Sequence, residues 1–210
     1  MDRRLAGAAL IATPLLALIF RGLGASGLRP LTACLVALAI YWGLLALALR
    51  FSGGWSLRPR WPGRAVGLVL VSCVTGMAAV GAGALAGLSA HVLAVVVLAG
   101  LINGHLEEAF WRGALVPDIG PDLGPDPAAG DALRAAPAVL LFGLWHFAPA
   151  AAPLTLPGGA VAMVLCATAL GAILMAARLF SGTAGTGAIA HALINIFAFA
   201  MLASTNAKAV

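Results

Sequence analysis

Residues 92–116 read VLAVVVLAGLINGHLEEAFWRGALV. An apolar run of this length is enough to cross a bilayer, for which about 17–25 residues suffice. Yet its second half carries Glu107, Glu108 and Arg112. Ionisable groups at hydrocarbon depth cost about 2.5–3.5 kcal/mol each on insertion scales, and they turn inward toward a bundle interior or an aqueous cavity. This stretch is therefore a membrane helix with a functional face. Comparable apolar runs occupy 5–20, 31–49, 65–87, 136–152, 160–177 and 186–204. The chain is 62% hydrophobic and 9% charged. That composition excludes a soluble globular domain and predicts an all-α, polytopic transmembrane helical bundle of about seven spans, with six to eight as the range. The loops are too short for a separate soluble domain, so residues 1–210 form a single integral membrane domain. Within it, 1–90 reads as scaffold spans without interior charges, and 91–204 holds the helices that carry chemistry.

The formal charge of +5 does not point to nucleic acid, because the arginines flank spans instead of forming a stripe. Arg3 and Arg4 precede the first span, and Arg50, Arg58, Arg60 and Arg64 crowd the connection between the second and third. By the positive-inside rule both regions are cytoplasmic, and Arg178 falls on the same side after the sixth span. Seven crossings then leave the C-terminus, with Lys208, outside. Arg3-Arg4, the apolar run and Gly24-Ala25-Ser26 are signal-peptide-like, but six further spans favour an uncleaved first helix. Cys34, Cys73 and Cys166 lie in three different spans and read as packing residues with no disulfide or metal pattern. Gly63/Gly67, Gly83/Gly87 and Gly100/Gly104 recur at four-residue spacing, which suits close helix packing of a generic kind. The segment 117–134 repeats Pro-Asp and reads as a solvated connector.

Two further polar strings lie inside apolar runs: Phe142-Gly143-Leu144-Trp145-His146 and His191-Ala192-Leu193-Ile194-Asn195. At 1.5 Å rise per residue, Glu107, His146, His191 and Asn195 all fall roughly 8–15 Å from helix ends that alternating topology puts on the cytoplasmic side. The groups share a depth. Residues four apart also share a face, so His191 projects with Asn195, and Phe142 with His146. Glu108 precedes Arg112 by four residues, the favoured order for an ion pair on a helix. This pairing leaves Glu107 free to face the other helices. His105 is offset from Glu107 toward the opposite face, and His91, His105, Trp111 and Trp145 read as structural or packing residues.

A carboxylate can act as general base toward water. A histidine can hold that water, and a histidine and an asparagine can donate to an oxyanion. No serine or cysteine has the context of a nucleophile. The set therefore suits hydrolysis by activated water.

EExxxR, FxxxH and HxxxN, in that order on successive membrane segments, resemble the CPBP superfamily of intramembrane glutamic proteases. Type II CAAX prenyl endopeptidases, bacteriocin-processing relatives and sorting-associated bacterial members belong to it. The resemblance covers roughly 101–200. It implies that Glu107 and His146 activate the water, that His191 and Asn195 form the oxyanion site, and that Glu108, Arg112 and Phe142 support them. It also implies a metal-independent endopeptidase without cofactors, acting on a membrane-associated protein or peptide. The Ala-, Gly- and Arg-rich composition suggests a bacterial inner membrane. Two other readings stay open at this point. One is a zinc-dependent membrane peptidase with Glu107, His146 and His191 as ligands. The other is a non-catalytic scaffold, immunity factor or transporter.

Overall fold

A computed structural model describes residues 1–117 and 129–206. Most of the Pro-Asp segment and Lys208 lie outside the described residues. In chain order the elements are α1 (Arg3–Gly24), α2 (Pro30–Arg50), α3 (Arg64–Ala86), α4 (Ala90–Glu108), a π-helical segment (Ala109–Ala114), α5 (Ala129–Trp145), α6 (Phe147–Ala150), α7 (Gly159–Ser181) and α8 (Gly185–Asn206). There is no strand among the described residues. Among the described residues seven helical stretches are long and apolar enough to cross a membrane. The fold is the expected all-α polytopic bundle, and the protein is an integral membrane protein.

Two elements differ from the sequence reading. The run 92–116 is not one α-helix. From Ala109 the chain widens to π-helix, and Leu115 N–H donates to the carbonyl five residues back, on Phe110, at 2.9 Å. Gly113 lies against Trp55 of the α2–α3 connection, where an added Cβ would come within 2.7 Å of the Trp55 Cβ. The fifth helix takes in Ala129–Arg134, inside the segment read as a connector. Asp131 lies in its first turn and is buried, 3.8 Å from Arg134. A carboxylate toward that end of a helix complements its N–H groups. The same helix stops at Trp145. Pro149 has no N–H to give to the Trp145 carbonyl, and one further turn, α6, follows the break.

The ends of the bundle are tied by the backbone. At one end Asp2 caps α1 through its carboxylate (Arg4 N, 2.8 Å; Leu5 N, 3.1 Å), and its own N–H reaches Leu115 O at 2.8 Å. At the same end the α2–α3 connection is laced to the α7–α8 turn. Ala184 N–H meets Ser56 O at 3.0 Å, and the Thr183 and Thr186 hydroxyls reach the carbonyls of Arg58 and Arg60. At the other end the Asn206 carboxamide brackets Thr155, accepting from its N–H at 3.0 Å and donating to its carbonyl at 3.3 Å.

The packing that decides the site is α4 on α8. Gly100 faces Ile196 and Gly104 faces Ala192. A Cβ on Gly104 would come within 2.6 Å of the Ala192 Cα. The glycine pair read as generic small-residue packing is thus the seam that lets the backbone bearing Glu107 and Glu108 approach the backbone bearing His191 and Asn195. On the other flank Gly143 admits Thr168, and Gly171 admits the Phe142 ring, which holds α5 against α7. Gly104→Val is expected to force α4 and α8 apart. Overpacking of this kind costs about 1–3 kcal/mol. It should appear as a lowered unfolding midpoint of the purified protein in detergent, whereas Gly76→Val, where nothing lies within 4 Å, should not move it.

Candidate active site

Glu107 is 1% exposed and Glu108 0%. With no water in the hydrocarbon region, their oxygens must find partners inside the protein. Glu107 finds them on three helices. Its Oε1 accepts from the Tyr41 hydroxyl on α2 at 2.9 Å and from the Trp145 indole N–H on α5 at 3.0 Å. Its Oε2 accepts from the Asn103 carboxamide, one turn earlier on α4, at 3.0 Å. Each donor is itself held. Trp111 N–H donates to the Tyr41 oxygen at 2.9 Å, Trp42 N–H donates to Asn103 Oδ1 at 2.8 Å, and the Tyr41 and Trp145 rings stack at 3.7 Å. Hydrogen bonds to an ionised acceptor are about twice as strong as neutral ones, and this network fixes the carboxylate without any cation in direct contact.

Glu108 is held differently. Its Oε1 lies 2.9 Å from the Arg112 guanidinium and 2.9 Å from His191 Nδ1. Arg112 is 0% exposed and lies over the face of Phe142, 3.9 Å from the ring centre. The ion pair expected from spacing is therefore present, on a helix that widens between its two members. His191 is shared. Its Nδ1 faces Glu108, and its Nε2 lies 3.6 Å from Glu107 Oε2. That separation exceeds a hydrogen bond, and a water beside both groups could bridge them.

His146 sits at the α5–α6 break. Its own N–H turns to the Gly143 carbonyl at 3.1 Å, one residue short of α-helical pairing, which leaves the Phe142 carbonyl for its Nδ1 at 2.8 Å. A carbonyl only accepts, so Nδ1 carries the proton, and in the neutral ring Nε2 keeps a free lone pair. The Phe142 ring stands edge-on to both histidines, with centroids 4.7 Å from His146 and 5.9 Å from His191. Asn195, one turn along α8 from His191, is buried, and its Nδ2 has no partner among the described residues. His105 binds the Leu101 carbonyl and His91 contacts Ser89, both away from this cluster. Among the described residues no three His, Cys, Asp or Glu side chains are grouped as they would be around a metal ion.

Sequence reasoning missed Tyr41, Asn103 and Trp145 as partners of Glu107. Asn103 precedes Glu107 by four residues, the same signal that paired Glu108 with Arg112. Tyr41 is the single tyrosine of the chain and lies in the middle of an apolar span, within residues read as scaffold. The Trp145 and Trp111 indoles, given to packing, both donate into the network. Arg178 is a further buried group, and its Nε donates to the Arg112 carbonyl at 3.0 Å.

A carboxylate in a lattice of donors, an imidazole 3.6 Å from it, a second imidazole next in the chain to one of its donors and a free carboxamide one turn along α8, inside a membrane bundle, are the outline of a membrane-embedded hydrolase. Residues 88–197, which run from just before α4 to just past the middle of α8, match the family described as type II CAAX prenyl endopeptidase Rce1-like. The match spans about half of the chain, and the protein belongs to that family. Membership implies a protease of the CAAX type working in the membrane. The matched stretch contains Glu107, Glu108, Arg112, Phe142, His146, His191 and Asn195, and it excludes Tyr41. No curated protein matches the chain, and no solved structure does.

Tyr41→Phe keeps the ring stack on Trp145 and removes one hydrogen bond to a charged acceptor, worth about 1.5–3 kcal/mol. Proteolytic activity is expected to fall about ten- to a hundred-fold with the protein still folded, as judged by its elution profile and unfolding midpoint. Unchanged activity would mean that Trp145 and Asn103 suffice to hold Glu107.

Proposed function

We propose that the protein is a metal-independent glutamic endopeptidase that hydrolyses a peptide bond of a membrane-associated protein or peptide. The observation that carries this reading is the contrast between two carboxylates one residue apart. Glu108 is spent on Arg112 and His191. Glu107 is positioned only by neutral donors and faces an imidazole across a 3.6 Å gap. A carboxylate whose hydrogen bonds all come from neutral donors, with the nearest imidazole beyond hydrogen-bond distance, keeps basicity for a proton from water.

In this mechanism Glu107 takes the proton of a water that the free lone pair of His146 Nε2 helps to hold. The hydroxide attacks the scissile carbonyl, and the oxyanion is met by Asn195 Nδ2, which has no partner among the described residues, and by His191. For His191 to donate from Nε2 while Nδ1 stays on Glu108, the ring must carry both protons, and the Glu108 carboxylate compensates that charge. Glu107 then returns its proton to the leaving amine. Arg112 and Phe142 hold Glu108 and the two imidazoles in register. The high Ala, Gly and Arg content supports placing this chemistry in a bacterial inner membrane, with processing of a C-terminus or a leader, or protein sorting, as its role.

Glu107→Gln is expected to lower cleavage of a membrane-anchored peptide by at least about a hundred-fold, and Asn195→Ala by about 10²–10³-fold. Chelation with EDTA or phenanthroline should leave the wild-type rate unchanged. Full activity in Glu107→Gln, or stoichiometric zinc whose removal stops the reaction, would sink the reading.

A further inference from the structure

The two oxygens of Glu107 are not equivalent. A carboxylate oxygen has two lone pairs. Those of Oε1 are both taken, by the Tyr41 hydroxyl at 2.9 Å and by the Trp145 indole N–H at 3.0 Å. Oε2 accepts from one donor among the described residues, the Asn103 carboxamide at 3.0 Å, and it is also the oxygen that faces His191 Nε2 across 3.6 Å. One lone pair is therefore left open, and it belongs to the oxygen turned toward the imidazole.

A carboxamide fits the same space in two orientations that exchange its oxygen and its nitrogen. The orientation of Asn103 decides whether it donates to Oε2 or opposes it. With Oδ1 toward Glu107, two acceptors would stand 3.0 Å apart, and the carboxylate would be driven from its place. The contact that settles the matter comes from α2. The Trp42 indole nitrogen lies 2.8 Å from the amide. An indole N–H only donates, so the amide atom that meets it is Oδ1, and Nδ2 is left for Glu107. Asn103 is 6% exposed, and in an apolar interior the wrong orientation would leave the indole donor, the amide and the carboxylate all mismatched. Tyr41 and Trp42 are adjacent on α2 and diverge by about 100°. The first thus reaches Oε1 directly, and the second reaches Oε2 by way of Asn103. Both lie outside the matched residues 88–197.

We propose that Trp42 is a positioning residue for the hydrolysis. By fixing the orientation of the Asn103 carboxamide it keeps Oε2, and not Oε1, as the oxygen of Glu107 that takes the proton of the water. This rests on the endopeptidase reading, and it adds which oxygen is the base and what selects it.

The test replaces Trp42 by 3-benzothienylalanine, which keeps the shape of the bicyclic ring and puts sulfur in place of the N–H. For a membrane-anchored peptide kcat should fall about ten-fold with KM unchanged. Asn103→Leu, which removes the amide, should lower kcat by about 10–100-fold. In that background the Trp42 replacement should cause no further loss, because its effect passes through the amide. A loss that persists in full in Asn103→Leu would make Trp42 a packing residue and overturn the proposal. So would unchanged kcat when Trp42 alone is replaced, or a loss that lies in KM only. These last two outcomes are read without Asn103→Leu, so they decide the matter even where that variant does not fold. Glu107→Gln, measured alongside, separates the two levels. Its full activity would remove the base and the proposal with it, whereas an inactive Glu107→Gln beside an unaffected Trp42 replacement would overturn the role of Trp42 alone.

Discussion

A carboxylate sealed in an apolar bundle must be solvated by the protein alone, and Glu107 sets that demand on the rest of the molecule. The cheapest compensation for its charge would be an arginine, and Arg112 is only five residues away in the chain. The structure gives that arginine to Glu108 and surrounds Glu107 with a phenol, an indole and a carboxamide. Neutral donors stabilise the anion less than a cation would, and they leave it a stronger base. Three helices are bound to this single group, so the position of α2 and α5 relative to α4 follows from it as much as from apolar packing.

The second constraint is distance. The His191–Glu108 contact of 2.9 Å requires the backbones of α4 and α8 to pass closer than side chains with a Cβ allow, and Gly104 over Ala192 meets that requirement. The π-helical turn beyond Glu108 serves the same end. By carrying one extra residue per turn it lets Arg112 lie over Phe142 while its carbonyl turns to Arg178. Such turns recur at functional sites because they re-aim side chains without ending the helix.

Much of this was legible in the sequence. Charges are so expensive in an apolar chain that Glu107, Glu108, Arg112, His146, His191 and Asn195 stand out on cost alone, and the 3.6-residue period says which of them share a face. The seven spans follow from length and apolarity. What stayed hidden has a common cause. Tyr41, Trp111 and Trp145 are amphipathic, and a sequence displays their apolar bodies while concealing which polar tip finds a partner across the bundle. Asn103 obeyed the same four-residue rule as Arg112, yet it went unread beside two carboxylates. The π turn depends on tertiary contacts, and the helix that includes Ala129 carries an acid near that end; hydropathy registers neither.

The break between α5 and α6 bears on any attempt to make this protein sturdier. Replacing a mid-helix proline by alanine ordinarily strengthens a helix. Here a straightened helix would move the His146 N–H from the Gly143 carbonyl to that of Phe142 and turn the imidazole with it, away from the place the break gives it. Pro149 thus trades regularity of the backbone for the placement of a side chain. A stabilising substitution at that position would be a gain for the scaffold and a loss for the chemistry it serves.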